Sequence, residues 1–307
     1  MTHIEVITPA WTAPARVHAA FTLRAGGVST PPFNSLNLGV HVGDDPAAVA
    51  ENRRRMREHL GLPVEPAWLQ QVHGVGVANL DDATGTGDSA HTVGAARTVD
   101  AERIVGVART ADAQRNVDVA PTADAAITRR SHRVCVIQVA DCIPVLFAAR
   151  DGTAVAAAHA GWRGLAAGVL DATVQRLREE FSVEPEGLCA WLGPGIAQSH
   201  FEVGDDVRSA FLAGTASVAG AAGATGAARA TPAAVVAEAE GAAVDFLPNS
   251  RGRWQCNLYG LARRRLLALG VREISGGDLC TYADSGRFFS YRRDGQCGRM
   301  AALVWLG

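Results

Sequence analysis

The sequence lacks several features that define whole classes of protein. No apolar run is long enough to span a bilayer, and residues 1–6 have no basic region followed by an apolar one, as a secretory signal would. Aromatic residues make up only 6% of the chain, and 29 Lys and Arg nearly balance 31 Asp and Glu. We therefore expect a cytoplasmic protein whose partners include neither a membrane nor a nucleic acid.

The cysteines show no paired spacing. The six cysteines include no C-x-x-C pair. Reduced thiols are the default for a chain expected in the cytoplasm. The 307 residues and the 48% hydrophobic content suffice for a substantial core, so we predict a single domain over residues 1–307.

Large apolar residues are few in two stretches, at residues 81–120 and 213–243. The first is rich in Ala, Thr, Gly, Asp and Arg and has no sustained amphipathic period, and the second is dominated by Ala and Gly. Alanine favours helix, but neither composition supplies much to a core. We predict that both stretches are surface insertions.

Elsewhere the apolar pattern predicts a mixture of strands and helices. Runs rich in β-branched, aromatic or small apolar residues predict strands at 133–139, 154–159, 188–192, 288–293 and 301–306. Caps and apolar spacing predict helices that begin at Pro46 after Asp44 or Asp45, span 165–181, and span 258–269 before Gly270. Because these elements follow no regular βαβ order, the predicted fold class is α+β.

Two histidines and one cysteine carry most of the chemical information. His73 precedes Gly74, Cys142 follows Asp141, and His159 ends an apolar run. Together they offer the His2Cys set that zinc uses when it leaves a fourth position open for chemistry. Each also has an ordinary explanation, as a polar turn residue, a small buried hydrophobe and a core imidazole respectively. The ligands are far apart in sequence, so spacing alone leaves the metal unproven.

Four polar residues are candidates for substrate or phosphate binding. Arg24 precedes a glycine turn that suits an anion, with a surface arginine on a tight turn as the alternative. Arg163 is the better phosphate candidate, with a salt bridge to a carboxylate as its alternative. Asn37 can contact a purine edge or a phosphate, or bond its own backbone. Asp141 would orient a ligand or shuttle a proton.

Nine motifs occur in the order found in a known family. They are residues 22–29, 35–39, 41–44, 70–74, 140–144, 159–164, 192–196, 201–204 and 289–293. The chain resembles the polyphenol-oxidase/laccase-domain family, also described as YfiH-like purine nucleoside phosphorylases, over its whole length apart from the two insertions. One departure is Cys297, near Arg299, where the family usually has Thr.

The resemblance implies a cytoplasmic zinc enzyme with a layered mixed sheet and flanking helices. It implies phosphorolysis of adenosine, inosine and methylthioadenosine and deamination of adenosine, so a purine nucleoside and phosphate are the expected partners. The oligomeric state stays open. The implied metal ligands for Zn²⁺ are His73, Cys142 and His159. The catalytic candidates are Cys142, His159, Arg24, Asn37 and Asp141, and the phosphate-binding candidates are Arg24 and Arg163.

Three other functions compete with this interpretation. A copper polyphenol oxidase would use His2Cys with a weak axial Met, but Met1, Met56 and Met300 all lie outside the metal motifs, and the nine histidines are scattered. A metal-free Cys142/His159 hydrolase acting on a peptidoglycan precursor is the second. A non-catalytic interaction factor is the third. We predict a zinc-dependent purine nucleoside phosphorylase with adenosine deaminase activity.

Overall fold

The computed structural model describes residues 4–82, 120–217 and 243–307, with the backbone alone for residues 214–217. In these ranges the strands are β1 (Val6–Ile7), β2 (Val17–Thr22), β3 (Val77–Asn79), β4 (Ala125–Thr128), β5 (Val134–Val139), β6 (Ile143–Ala149), β7 (Val155–Ala160), β8 (Leu188–Leu192), β9 (Glu202–Val203), β10 (Phe246–Pro248), β11 (Trp254–Cys256), β12 (Glu273–Gly276) and β13 (Met300–Leu306). The helices are α1 (Pro46–Leu60), α2 (Trp162–Ala167), α3 (Val169–Phe181), α4 (Asp205–Ser217), α5 (Leu258–Ala268) and α6 (Tyr291–Asp294).

The strands form three sheets. A four-stranded antiparallel sheet has the order β1-β2-β13-β5. A six-stranded mixed sheet has the order β12-β8-β6-β7-β4-β3, with parallel pairs at its two edges and antiparallel pairs in its centre. A small antiparallel sheet joins β10, β11 and β9. This mixture of pairings confirms the predicted α+β class.

The two larger sheets pack face to face because their central strands are apolar on both faces. On β5, Ile137 packs into the core between the sheets, beside Leu146 of β6. Its neighbour Val136 packs on the opposite side, with Met56 of α1. The outer face of the six-stranded sheet, which includes Phe147, packs against the helices that follow β7 and β11. The layers are therefore α1, the four-stranded sheet, the six-stranded sheet and the remaining long helices, as the resemblance implied.

Several element predictions are confirmed and two are wrong. The predicted strands at 133–139, 154–159, 188–192 and 301–306 appear within one residue of their ends, and Asp45 caps α1 by accepting the N–H of Ala47. The predicted helix at 165–181 is instead two helices, since Gly168 has φ 98° and interrupts it. The predicted strand at 288–293 does not form: residues 288–290 are irregular and helix α6 follows, because the Ser290 side chain accepts the N–H of Arg293 and begins a helical turn.

The two predicted insertions lie mostly outside the described residues and stay predictions. At the edge of the first, Asp81 is buried and accepts hydrogen bonds from Thr128 Oγ1 and from the N–H of Arg129. At the edge of the second, α4 continues to Ser217. Within the described ranges, no helix combines the length and the apolar character needed to cross a membrane.

Candidate metal centre

Three separate elements bring His73, Cys142 and His159 together. His73 lies in the loop before β3, Cys142 in the tight connection between β5 and β6, and His159 near the end of β7. One potential ligand atom from each residue lies within 4.8 Å of the other two. The Cys142 Sγ atom is 3.9 Å from His73 Nε2, and the two imidazole rings have centroids 4.7 Å apart. The sulfur and the two imidazole nitrogens can therefore face one cation.

Asp124, which precedes β4, links two of the three ligands. Its side chain is fully buried, and its Oδ1 atom lies 2.8 Å from Nδ1 of His159. This contact fixes the ring and leaves Nε2 as the nitrogen available to a metal. The backbone carbonyl of Asp124 also accepts the N–H of His159. Asp124 thus orients His159 through both its side chain and its backbone.

The same carboxylate holds the backbone of the His73 loop. It accepts the N–H of Val72 at 3.1 Å, of His73 at 2.9 Å and of Gly74 at 2.6 Å. His73 has φ 60°, a left-handed conformation that is uncommon for a residue with a side chain. Three successive N–H donors on one carboxylate compensate for that conformation. Asp124 therefore positions His73 as well as His159.

Two glycines after β7 leave space for this arrangement. A Cβ atom at Gly161 would lie 2.8 Å from Cys142 Sγ and 3.0 Å from His73 Cδ2. A Cβ atom at Gly164, on α2, would lie 3.0 Å from the carbonyl oxygen of Gly74. Both distances are shorter than ordinary carbon contacts, so the close approach of α2 to the ligands depends on glycine at 161 and 164.

The ionisation of Cys142, His159 and Asp124 favours a bound cation. Desolvation raises the pKa of the Cys142 thiol, but His159 and His73 outweigh it and lower the pKa to about 6. Desolvation lowers the pKa of His159, but the Cys142 sulfur and Asp124 outweigh it and raise the pKa to about 9. Burial raises the pKa of Asp124, yet hydrogen bonds from His159 and Gly74 leave it below its usual value. The site thus holds a thiolate and a carboxylate at neutral pH, and a metal ion would take the place of the His159 proton.

Asp141 lies beside the ligand Cys142, and its side chain contacts the C-terminal segment. Its Oδ1 atom accepts from Thr281 Oγ1 at 2.6 Å, and its Oδ2 atom accepts the N–H of Arg292 at 2.7 Å. Its backbone carbonyl accepts the N–H of Ile196. Asp141 is buried and has φ 90°. These contacts fix the connection that carries Cys142, so geometry supports a positioning role; the catalytic role stays a prediction.

Arg24 and Asn37 lie in a second cluster of loops. Arg24 donates to the backbone carbonyls of Asn34 and Ser285, and its guanidinium stacks on Phe289 at 4.7 Å. The amide of Asn37 donates to Gly39 and Asp44 and accepts the N–H groups of Gly39 and Arg299. Both amide donors and both lone pairs of Asn37 are therefore used inside the protein. Their proposed catalytic roles stay predictions, and for Asn37 the geometry favours the alternative of a turn residue.

Arg163 is the candidate phosphate ligand whose charge is most available. It is exposed on α2, two residues after Gly161, and its guanidinium stacks on Trp162 at 4.3 Å. In the part of the chain that the structure describes, its guanidinium makes no hydrogen bond or ion pair with another residue. The guanidinium of Arg163 therefore has its N–H donors available to bind an anion, and it is carried by the helix that packs against the ligand loops.

Comparisons with known proteins show the family of the chain. Residues 18–307 match the family described as multi-copper polyphenol oxidoreductase laccase. The chain belongs to this family. Among its relatives, a purine nucleoside phosphorylase of Pseudomonas aeruginosa is 43% identical over 98% of each chain. The purine nucleoside phosphorylase YfiH of Escherichia coli is 40% identical, over 98% of this chain and 99% of that protein.

Two solved structures have the same fold as this chain. A Neisseria meningitidis protein superposes with a TM-score of 0.74 at 38% identity and covers 98% of both chains. YlmD of Geobacillus stearothermophilus superposes with a TM-score of 0.72 at 28% identity, over 95% of this chain and 92% of that one. The fold implied by the sequence motifs is therefore confirmed.

The residues of this family member fit a single metal ion. The donor set is two imidazoles and one thiolate, the space beside them is kept open at Gly161, and Asp124 leaves one nitrogen of His159 free. Cys297, the departure from the family pattern, is buried, and its carbonyl accepts from Arg299 at 2.9 Å. The sequence analysis did not identify Asp124 as the residue that positions two metal ligands. The available signal was a single carboxylate in an otherwise apolar run, directly before a buried strand.

Proposed function

We propose that the protein is a zinc-dependent purine nucleoside phosphorylase that also deaminates adenosine. The observation that carries the proposal is the His2Cys group of His73, Cys142 and His159. Asp124 orients it through hydrogen bonds with the His159 ring and the His73 backbone. The protein also has relatives about 40% identical that are named purine nucleoside phosphorylases. Adenosine, inosine and methylthioadenosine are the proposed nucleosides, with phosphate as the second substrate.

His73, Cys142 and His159 would hold the zinc ion, which would supply Lewis-acid activation to a water or substrate. The chain's own residues hold and orient the reactants. Asp124 and Asp141 fix the ligand loops, which limits the movement of the reacting groups. Arg163 lies four residues after His159 and, within the described ranges, stacks on Trp162 without an ion pair; it is proposed to hold phosphate. Arg24 is the second phosphate candidate.

Copper remains the alternative metal because the family carries the name of a multi-copper laccase. In the described ranges, a single group of three or more His, Cys, Asp or Glu residues is placed to hold a metal. A multi-copper oxidase needs several clustered histidines beyond one His2Cys group. The single three-ligand group in these ranges therefore favours zinc over a multi-copper centre.

The proposal is tested by metal analysis and product analysis on the same preparation. Purified protein should contain about one zinc per chain, since one ligand group is formed. Incubation with adenosine and phosphate should yield adenine with ribose 1-phosphate, and inosine. Cys142→Ser, His73→Ala and His159→Ala should each lose zinc and both reactions together. A Cys142→Ser protein that keeps its metal but loses a covalent intermediate would instead support the Cys142/His159 hydrolase.

Arg163→Ala separates the two reactions. Phosphorolysis should fall by about tenfold or more through a higher KM for phosphate, while deamination, which uses no phosphate, should change little. Arg178→Ala is the matched control, because Arg178, on the neighbouring helix α3, is also exposed but forms an ion pair with Glu184. Equal loss of both reactions in Arg163→Ala, with zinc retained, would contradict a phosphate-binding role.

A further inference from the structure

A second thiol and imidazole lie together outside the metal centre. Cys280, just after β12, has its Sγ atom 3.6 Å from Nδ1 of His200. The His200 ring stacks on Tyr282, with centroids 4.6 Å apart and 21° between the planes. The sulfur also accepts the backbone N–H of Ala197 at 3.4 Å. The pair therefore has a fixed geometry in which the sulfur has one donor and one base as neighbours.

The Nδ1 atom of His200 has a hydroxyl as well as the thiol for a neighbour. Ser199 Oγ lies 2.9 Å from the same Nδ1 atom that faces Cys280. The neutral tautomer with its proton on Nε2 leaves the Nδ1 lone pair to accept from the hydroxyl or from the thiol. In that form, Nδ1 of His200 can accept the proton of the Cys280 thiol.

Cys280 is also accessible, in contrast to most of the cysteines. All six cysteines lie in the described ranges, and none forms a disulfide. Four are buried, at positions 135, 189, 256 and 297, and Cys142 belongs to the metal centre. Cys280 is half-buried and so is His200. When Cys142 is occupied by a metal ion, Cys280 is the cysteine that a small reagent can reach.

We propose that Cys280 and His200 form a reactive thiol site for small disulfides. Nδ1 of His200 takes the thiol proton as the sulfur attacks one sulfur of the disulfide. A new bond forms between Cys280 and that sulfur, the original S–S bond breaks, and the other half leaves as a thiolate. No metal ion or external oxidant is needed, since the disulfide itself is reduced.

This site is connected to the metal centre through Asp141. Thr281, directly after Cys280, donates to the Asp141 side chain, and Ile196, directly before Ala197, donates to the Asp141 carbonyl. An adduct on Cys280 needs the space now taken by the contact between Ala197 and the sulfur. Moving either segment loosens the hydrogen bonds of Asp141, which precedes the ligand Cys142. We expect modification of Cys280 to weaken metal retention.

The test uses metal-loaded protein and the aromatic disulfide 5,5′-dithiobis-(2-nitrobenzoate) at neutral pH. One coloured thiolate per chain should be released rapidly, and mass mapping should place the adduct on Cys280. Cys280→Ser should abolish this rapid phase. His200→Phe keeps an aromatic ring over Tyr282 and removes the base, so labelling should slow by about tenfold or more. His132→Phe, at an exposed histidine outside this pair, is the matched control and should leave the rate unchanged.

Two results would overturn the proposal. They are rapid labelling that maps elsewhere than Cys280, and labelling of Cys280 at the same rate in His200→Phe. Metal release to a chelator should be severalfold faster after labelling and should recover with dithiothreitol; equal release before and after would overturn the link to Asp141. This link rests on the proposed metal site. If that site fails instead, the adduct also appears on Cys142, which the mass mapping reports separately.

Discussion

Replacing Asp124 with asparagine removes one carboxylate oxygen while keeping the shape of the side chain. In the native protein, Oδ1 of Asp124 faces the N–H of His73 and Nδ1 of His159, and Oδ2 faces the N–H groups of Val72 and Gly74. An amide has one oxygen and one NH2 group. In either orientation of the amide, the NH2 group meets one of these two pairs of groups, and that pair loses its acceptor.

The size of the effect on stability and on zinc affinity follows from the hydrogen bonds that Asp124 loses. The Asp124 side chain is fully buried, and hydrogen bonds to a charged group contribute about 1.5–3 kcal/mol each. We expect Asp124→Asn to lower the free energy of unfolding by roughly 2–5 kcal/mol. Loss of the group that orients a metal ligand usually weakens metal affinity by about 10–100-fold. The zinc dissociation constant should rise by that factor, because each pair holds a metal ligand in place. Loss of the first pair releases His73 and His159, and loss of the second releases the backbone on both sides of His73.

The assay is competition for zinc with a chromophoric chelator, alongside urea unfolding. Asp245→Asn provides the control, since Asp245 is also buried but binds Asn257 and Arg264. It should destabilise the fold and leave zinc affinity unchanged. The cobalt-substituted Asp124→Asn protein should also show altered visible absorption, which loss of stability alone does not produce. A folded Asp124→Asn protein with native zinc affinity would refute the positioning role of Asp124.

Further predictions concern the space at Gly161, the ionisation of the Cys142 thiol and the hydrogen bond from Thr281 to Asp141. Gly161→Ala should abolish metal binding, because its Cβ would lie 2.8 Å from Cys142 Sγ. Gly187→Ala has open space around the new Cβ and should keep its zinc, and the zinc content of both purified variants checks this. Alkylation of Cys142 in metal-free protein should persist down to about pH 6 and slow below it, because its pKa is lowered to about 6 and the thiolate exists above that pH; slowing near pH 8.5 would contradict this. Thr281→Val should cost about 1–2 kcal/mol in urea unfolding and speed metal release, since it leaves an oxygen of buried Asp141 unpaired; unchanged stability and release would argue against that role.

The sequence predicts the ligand trio and most central strands because their signals are local. The runs at 133–139, 188–192 and 301–306 are buried on both faces, and such strands read as continuous apolar stretches. The residue types at His73, Cys142 and His159 already define a zinc-like donor set. Their meeting in space was expected from the family resemblance, and the structure brings them together.

The missed features depend on contacts between distant residues. Asp124 lies 51 positions from His73, so its place before a buried strand suggests a special role but does not connect it with the His73 loop. The side chain of Asn37 is saturated partly by Arg299, which lies 262 positions away. The segment 288–293 has a strand-like composition, but the Ser290 cap and the contact of Arg292 with Asp141 override it. The apolar spacing across residues 165–181 continues through Gly168 and conceals the break.

The most direct test of the proposed function is the reaction of metal-quantified protein with adenosine and phosphate, followed by mass spectrometry of the products. We predict about one zinc per chain, formation of adenine with ribose 1-phosphate and of inosine, and loss of both zinc and products in Cys142→Ser. Several copper atoms per chain, or unchanged products from metal-free protein, would contradict the proposal.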